Sequence, residues 1–270
     1  MDAAEAVRAK ENEPVVVYNG DGSGPFVITC DHASNFVPSE FGGLGLEAAD
    51  LIRHIAWDPG ALGVARAMSR VLNAPLVRGG VSRLIIDCNR PIDAPDLIAA
   101  KSEATDVPGN AHLSQEKIQA RISRFYDPFH AEMSEAVVKK SAGGVMAGVI
   151  AVHSFSPVYN GVSRPWEIAI IHDDDDVWAL GIVDRLQSLG GLHVGVNEPY
   201  SPKDRVYHTL ERHARSRGLP AVMIEIRNDE IADAKRQQRW GELLAEIAGD
   251  AYEELIKGMA GARAAGGLKN

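Results

Sequence analysis

Short runs of valine, isoleucine and leucine alternate along the chain with stretches whose apolar residues recur at helical spacing. The short runs predict strands at 15–18, 26–30, 74–77, 84–88, 145–153, 167–171, 193–196 and 221–227. Several are apolar at nearly every position, as strands covered on both faces are. Helical spacing predicts helices over about 46–72, about 114–140, 177–189, 206–217 and 232–259. The first should break at Asp58-Pro59-Gly60, because proline and glycine both interrupt a helix. Ser114 is placed to cap the second, and Trp240, Leu243, Leu244, Ile247 and Tyr252 make one core-facing stripe on the last. This alternation predicts an α/β fold, a three-layer sandwich with a mixed, mostly parallel sheet flanked by helices. One domain is expected over 15–260, between a flexible N-terminus (1–14) and a flexible tail (261–270). Residues 91–113 lack periodicity and carry three prolines. A long irregular loop directly after Asn89-Arg90 is expected to cover an active site.

The 270 residues include 28 basic and 37 acidic side chains, a formal charge of −9, with no cluster of lysine and arginine. Nucleic acid and anionic membrane are therefore not the expected partners. The longest apolar stretch, 142–152, falls short of the ~20 residues that span a bilayer. The opening MDAAEAVRAKENEP lacks the basic start and apolar middle of a secretory signal, so a cytoplasmic location is expected. Cys30 and Cys88 cannot form a disulfide framework and are expected to be small buried apolar residues. Asp173 to Asp176 reads as a solvated helix start rather than a cation site.

Polar residues at the ends of apolar strands carry the candidate chemistry, because ligands of parallel α/β sheets bind beyond those ends. One run leads into Asp31-His32, and a second ends on His153-Ser154. Neutral imidazole is a common zinc ligand, so two strand-end histidines can converge on one ion; each alone reads equally as a hydrogen-bonded strand terminus. His208 and His213 are five apart and miss the spacing of two ligands on one helical face. Arg83 and Asn89-Arg90 bracket the run 84–88. A guanidinium suits a substrate carboxylate, and the alternative is an internal ion pair with Asp87 or another acid. Glu225 interrupts an apolar strand, where a carboxylate is costly unless paired or functional. Burial would raise its pKa towards proton-transfer range; the alternative is a salt bridge to Arg227 or Arg83. No G-x-S-x-G elbow is present, which disfavours a covalent acyl-enzyme.

Taken in order, these residues resemble the layout of zinc carboxypeptidases and aspartoacylases. More closely, the chain resembles the N-formylglutamate amidohydrolase family from about residue 16 to about 256. The matching segments are Asp31-His32-Ala33-Ser34-Asn35, His54-Ile55-Ala56-Trp57-Asp58-Pro59-Gly60-Ala61, Asp87-Cys88-Asn89-Arg90-Pro91 and Pro108-Gly109-Asn110. Asn197-Glu198-Pro199-Tyr200-Ser201, Gly218-Leu219-Pro220 and Ile224-Glu225-Ile226-Arg227-Asn228-Asp229 continue the match. The resemblance implies a phosphorylase/hydrolase-like sandwich and one divalent ion, zinc, held by His32 and His153. It implies Glu225 as general base, Arg83 at the oxyanion, and Asn89 with Arg90 on a substrate carboxylate. The carboxypeptidase pattern has a glutamate ligand three residues after the first histidine, where this chain has Asn35. An amide oxygen is the poorer zinc ligand, so Asp58 is the expected third ligand. The implied reaction is hydrolysis of a small N-acyl amino acid, N-formyl-L-glutamate above others, to formate and L-glutamate. Rivals are a deacylase of another N-acyl amino acid or small peptide, and a non-catalytic anion binder. Arg164, Arg205 and Arg227 are candidates for a second substrate carboxylate.

Overall fold

The computed structural model describes residues 13–174 and 177–266. Strands β1 (Val15–Tyr18), β2 (Phe26–Cys30) and β3 (Leu76–Gly79) precede a small hairpin, β4 (Lys101–Ser102) with β5 (Thr105–Asp106). Then come β6 (Gly148–Phe155), a second hairpin of β7 (Val158–Tyr159) and β8 (Val162–Ser163), and β9 (Ile168–Ile171), β10 (Val194–Val196) and β11 (Ala221–Arg227). The strands outside the hairpins form one sheet in the order β1-β3-β2-β6-β11-β9-β10. It is mixed and mostly parallel: β1 opposes β3 and β11 opposes β9, while the other neighbours run parallel. Helices α1 (Ala48–Leu51), α2 (Ala61–Val71), α3 (Gln115–Arg121), α4 (Asp127–Ser141), α5 (Val177–Ser188), α6 (His208–His213) and α7 (Ala234–Gly266) cover it. No described helix is long and apolar enough to cross a membrane.

The alternation of side chains along each strand divides the core in two. Ile28, Cys30, Ile150, Val152, Ile168, Ile170, Val222 and Ile224 pack beneath α2, α5 and α7, where Leu244, Ile247 and Tyr252 of the predicted stripe are buried. Val27, Val77, Val149, Ala151, Ala169, Met223 and their neighbours face the other way, against Phe125, Phe129 and Met133 around α4 and Leu210 of α6. Helices on both faces make the three layers that the sequence pattern predicts. Cys30 and Cys88 are buried, and burial pushes both thiols well above their ordinary pKa.

The differences from the sequence expectations have local causes. The apolar run 84–88 is not a strand. Two of its carbonyls are met by side chains instead: Asn110 donates to the Leu84 carbonyl at 2.7 Å and buried Arg121 to the Ile85 carbonyl at 2.9 Å. A strand edge needs donors from a neighbouring strand, and no pattern in the run shows that they come from distant side chains. The expected helix 46–72 is reduced to the short α1 and then α2, with turns through the Asp58-Pro59-Gly60 break. Ser114 does cap α3, accepting from the Lys117 amide at 3.3 Å. A π turn at Ile122–Tyr126 joins α3 to α4 just before Pro128, which has no amide proton to continue the ladder. Residues 91–113 hold the β4–β5 hairpin and line a cavity at the carboxyl end of the sheet through Asp96, Lys101 and Glu103. α7 runs to Gly266, past the expected boundary at 260. Residues 1–12 and 267–270, and Asp175 and Asp176 of the acidic run, lie outside the described residues.

Where α4 meets α6, His130 Nδ1 and His213 Nε2 share a hydrogen bond of 2.8 Å with their rings stacked. Burial, reinforced by Arg212, holds their pKa values down to about 2 and about 3. From pH 6.5 down towards 3 the unfolded chain therefore binds protons that the folded chain refuses. Stability falls with acid across that window, by on the order of 1 kcal/mol per pH unit for each ring. Urea unfolding at a series of pH values should show a shallower acid loss for His130→Gln than for the parent. Equal slopes would mean that the folded ring takes up protons.

Candidate metal centre and active site

The register of the central strands aligns the site. Thr29 of β2, Ala151 of β6 and Met223 of β11 lie side by side, and two residues further on His153 pairs with Glu225. Asp31, one step past β2, continues the same row. The lower rows carry no ionisable group and the last is ionisable because only the last reaches the carboxyl end of the sheet. His32 follows directly, and its carbonyl accepts from the Asp58 amide at 2.9 Å. The Asp58 turn is also gripped by β6, since Ser154 Oγ donates to the Pro59 carbonyl at 2.9 Å. Gly60 then adopts φ 84°, and a Cβ there would lie 2.5 Å from the Ile231 carbonyl oxygen. Only glycine satisfies both demands.

Asp58, 1% exposed, sits between the two imidazoles: its Oδ2 lies 2.8 Å from His153 Nδ1 and 3.4 Å from His32 Nδ1. One ligand atom from each of His32, Asp58 and His153 falls within 4.8 Å of the others. The far nitrogen of His32 meets Asp87 Oδ1 at 2.7 Å, and Asp87 is held in turn by Arg83 Nη2 at 2.8 Å and by the Asn89 amide at 2.9 Å. Asp58 Oδ1 and His32 Nδ1 are buried without a hydrogen-bond partner. Two imidazoles and a carboxylate converging with unsatisfied atoms, with a second carboxylate behind one ring, fit a divalent ion with nitrogen and oxygen preference. Asn35 is not part of this group; its side-chain amide donates to the Leu51 carbonyl at 2.9 Å.

The electrostatics follow from crowding charges out of water. Burial opposes ionisation of Asp58, but His32 and His153 outweigh it and hold the carboxyl well below its usual range. Burial pulls His153 down, yet its bond to Asp58 lifts it to about 9. Burial and Arg83 likewise oppose protonation of His32, while Asp87 and Asp58 raise it overall. Burial, against the pull of His153, raises Glu225 to about 7, and its Oε2 has no hydrogen-bond partner. His54, 3.5 Å from Asp58, is pushed down to about 4 by burial.

A cavity of about 250 Å³ opens onto this group and is lined also by Arg83, Arg90, Lys101, Tyr159 and Tyr200. Arg90 lines it but pairs with Asp96 at 2.8 Å rather than with Asp87. Asn89 is committed to backbone: its amide donates to the Val206 carbonyl and its Oδ1 accepts from the Thr209 amide at 3.0 Å. Arg164 is wedged between the rings of Tyr159 and Tyr200 and donates to the Tyr200 hydroxyl at 3.1 Å. Arg227 is tied to Asp229 and Glu230, and Arg205 lines a separate small cavity with His208. Sequence reasoning missed Asp31, His54 and Tyr200 as neighbours of the site and weighed Asp87 only as an ion-pair partner. Asp87 lies in a conspicuous segment, but its place behind His32 depends on a contact across 55 residues.

A family model described as N-formylglutamate amidohydrolase matches residues 24–232. A gene product of Agrobacterium tumefaciens of known structure is 43% identical, with 91% of this chain and 97% of that chain covered and a TM-score of 0.88. An N-formylglutamate amidohydrolase from Ralstonia eutropha is 21% identical, with 89% of this chain and 99% of that chain covered and a TM-score of 0.68, and shares the fold. No curated protein matches the sequence.

Asp58→Asn preserves shape and removes the charge between the two rings. Its affinity for zinc, titrated against a chromogenic chelator, should fall by more than the roughly 10–100-fold typical of losing an outer partner. Unchanged affinity would remove Asp58 from the ligand set.

Proposed function

The chain belongs to the N-formylglutamate amidohydrolase family, and from that premise we propose that it hydrolyses the amide bond of a small N-acyl amino acid. The preferred substrate in this reading is N-formyl-L-glutamate, released as formate and L-glutamate, with one zinc ion held by His32, Asp58 and His153. The observation that carries it is a buried carboxyl, Glu225, raised to about 7 on the same cavity wall as that group.

The ion, when bound, supplies Lewis-acid polarisation and a lowered pKa for water. The chain's own residues do the rest. Glu225 takes a proton from the attacking water on a carboxylate oxygen and hands it to the departing amine nitrogen. A pKa near 7 suits both halves of that transfer. Arg83, pinned by Asp87 at 2.8 Å and lying 3.6 Å from Asp58, keeps its positive charge beside the reacting carbonyl and stabilises the oxyanion. Arg90 receives the α-carboxylate, for which Asp96 must give way. Asn89 holds Arg90 in place through the 206–209 turn rather than by touching substrate. Lys101, on the β4–β5 hairpin at the cavity rim, is the choice for a γ-carboxylate.

A panel of N-formyl and N-acetyl amino acids, assayed with the zinc-loaded protein by amine release, tests the assignment. Formylglutamate should be turned over well ahead of formyl-alanine; equal rates would defeat the glutamate preference, and no turnover at all would leave an anion binder. Glu225→Gln should retain zinc and lose roughly 10²–10⁴-fold in kcat, whereas a near-normal rate would place the base elsewhere. Arg90→Ala should raise KM far more than it lowers zinc affinity, and a joint loss of both would assign the residue to the scaffold.

A further inference from the structure

Asp31 has no part in the reaction as described, yet it is one of the most deeply placed carboxylates in the chain, 3% exposed. Its Oδ1 accepts from Thr29 Oγ1 at 2.6 Å and its Oδ2 from Thr209 Oγ1 at 2.8 Å. Oδ2 also faces His153 Nε2 at 3.7 Å, the ring nitrogen turned away from Asp58. The backbone is equally constrained. A Cβ on Gly79 of β3 would lie 2.2 Å from the Asp31 carbonyl oxygen, so only glycine lets the neighbouring strand come this near. A carboxylate buried among hydroxyls and an imidazole is costly unless its charge is used.

Thr209 is fully buried near the start of α6. Its hydroxyl holds Asp31, and its amide holds the side chain of Asn89, next to Arg90. His32 shows the counterpart arrangement, with its outer nitrogen on Asp87 and Asp87 braced by Arg83. Ligand histidines generally give their second ring N–H to a carboxylate or carbonyl that sets ring orientation. We propose that Asp31, held by Thr29 and Thr209, is that outer carboxylate for His153, and that Thr209 is a positioning residue joining the ion site to the Asn89–Arg90 segment. This rests on His153 being a ligand, as read above.

The test is Zn²⁺ binding to the metal-free protein by competition with a chromogenic chelator, with thermal unfolding recorded alongside. Thr209→Val and Asp31→Asn should each weaken Zn²⁺ by roughly 10–100-fold, and the double variant by no more than the worse single one. Thr209→Ser, which restores the hydroxyl, should return affinity to within about threefold of the parent. If Asp31→Asn does not fold, Thr29→Val supplies the second arm of the cycle. Unchanged affinity with lowered melting temperature would make Thr209 merely structural, and multiplicative losses would make the two residues independent; either result overturns the proposal. A parent protein that binds no Zn²⁺ would instead sink the reading of the centre itself.

Discussion

The arrangement depends on one buried carboxylate, Asp58, placed between two imidazoles at the carboxyl ends of β2 and β6. Removing charges from water costs several kcal/mol per ion unless geometry repays it. Here Asp58 lies within 3.4 Å of a nitrogen on each ring, and Arg83 and His54 approach its other oxygen. The acids around them raise the pKa of both rings against the cost of burial, and in the proposed reading a divalent ion would take over that compensating positive charge.

Such a site needs its rings held from behind, and the fold offers this twice with different chemistry. His32 leans on Asp87, whose second oxygen is taken by a guanidinium. His153 faces Asp31, whose oxygens are taken by hydroxyls. The difference follows from position. Asp87 borders the cavity, where Arg83 can serve substrate and scaffold at once, whereas Asp31 lies beneath α6, where a threonine fits and a guanidinium would be stranded. Glu225 escapes both devices. Burial outweighs the pull of His153, His32 and Arg83 and sets its pKa near neutrality, whereas the carboxyls of Asp58 and Asp87 are held well below their usual range.

What the sequence made legible follows the same physics. β6 and β11 are buried on both faces, so their composition is unambiguous, and a polar residue at the end of such a run is conspicuous; His153 and Glu225 were found this way, and His32 just beyond β2. The run 84–88 has the same composition but pairs with Asn110 and Arg121, and composition cannot distinguish a strand neighbour from a distant side chain. The 46–60 stretch failed as a helix because the turn that delivers Asp58 needs its own backbone for His32 and Ser154. The resemblance implies that Asn89 binds a substrate carboxylate beside Arg90, yet its side-chain partners, Val206 and Thr209, lie over a hundred residues away. Asp31 and Thr209 are separated by 178 residues, and neither one alone is unusual enough to call attention to itself.

The last constraint is on what can enter. A chain with a formal charge of −9 does not attract an anion at long range, but at physiological salt fields between exposed charges decay over about 8 Å. Inside the cavity the balance is set by the groups that line it: Arg83, Arg90 and Lys101 against Asp87, Asp96, Glu103 and the acids at the ion site. Asp87 is already neutralised within the scaffold, while Asp96 is half-exposed and borne on the 91–113 loop. A carboxylate that reaches Arg90 therefore replaces one carboxylate with another and leaves the charge of the pocket almost unchanged. A neutral ligand would have to pull Asp96 off without replacing it. On the proposed reading, the Arg90–Asp96 pair would therefore favour a ligand carrying an acid group.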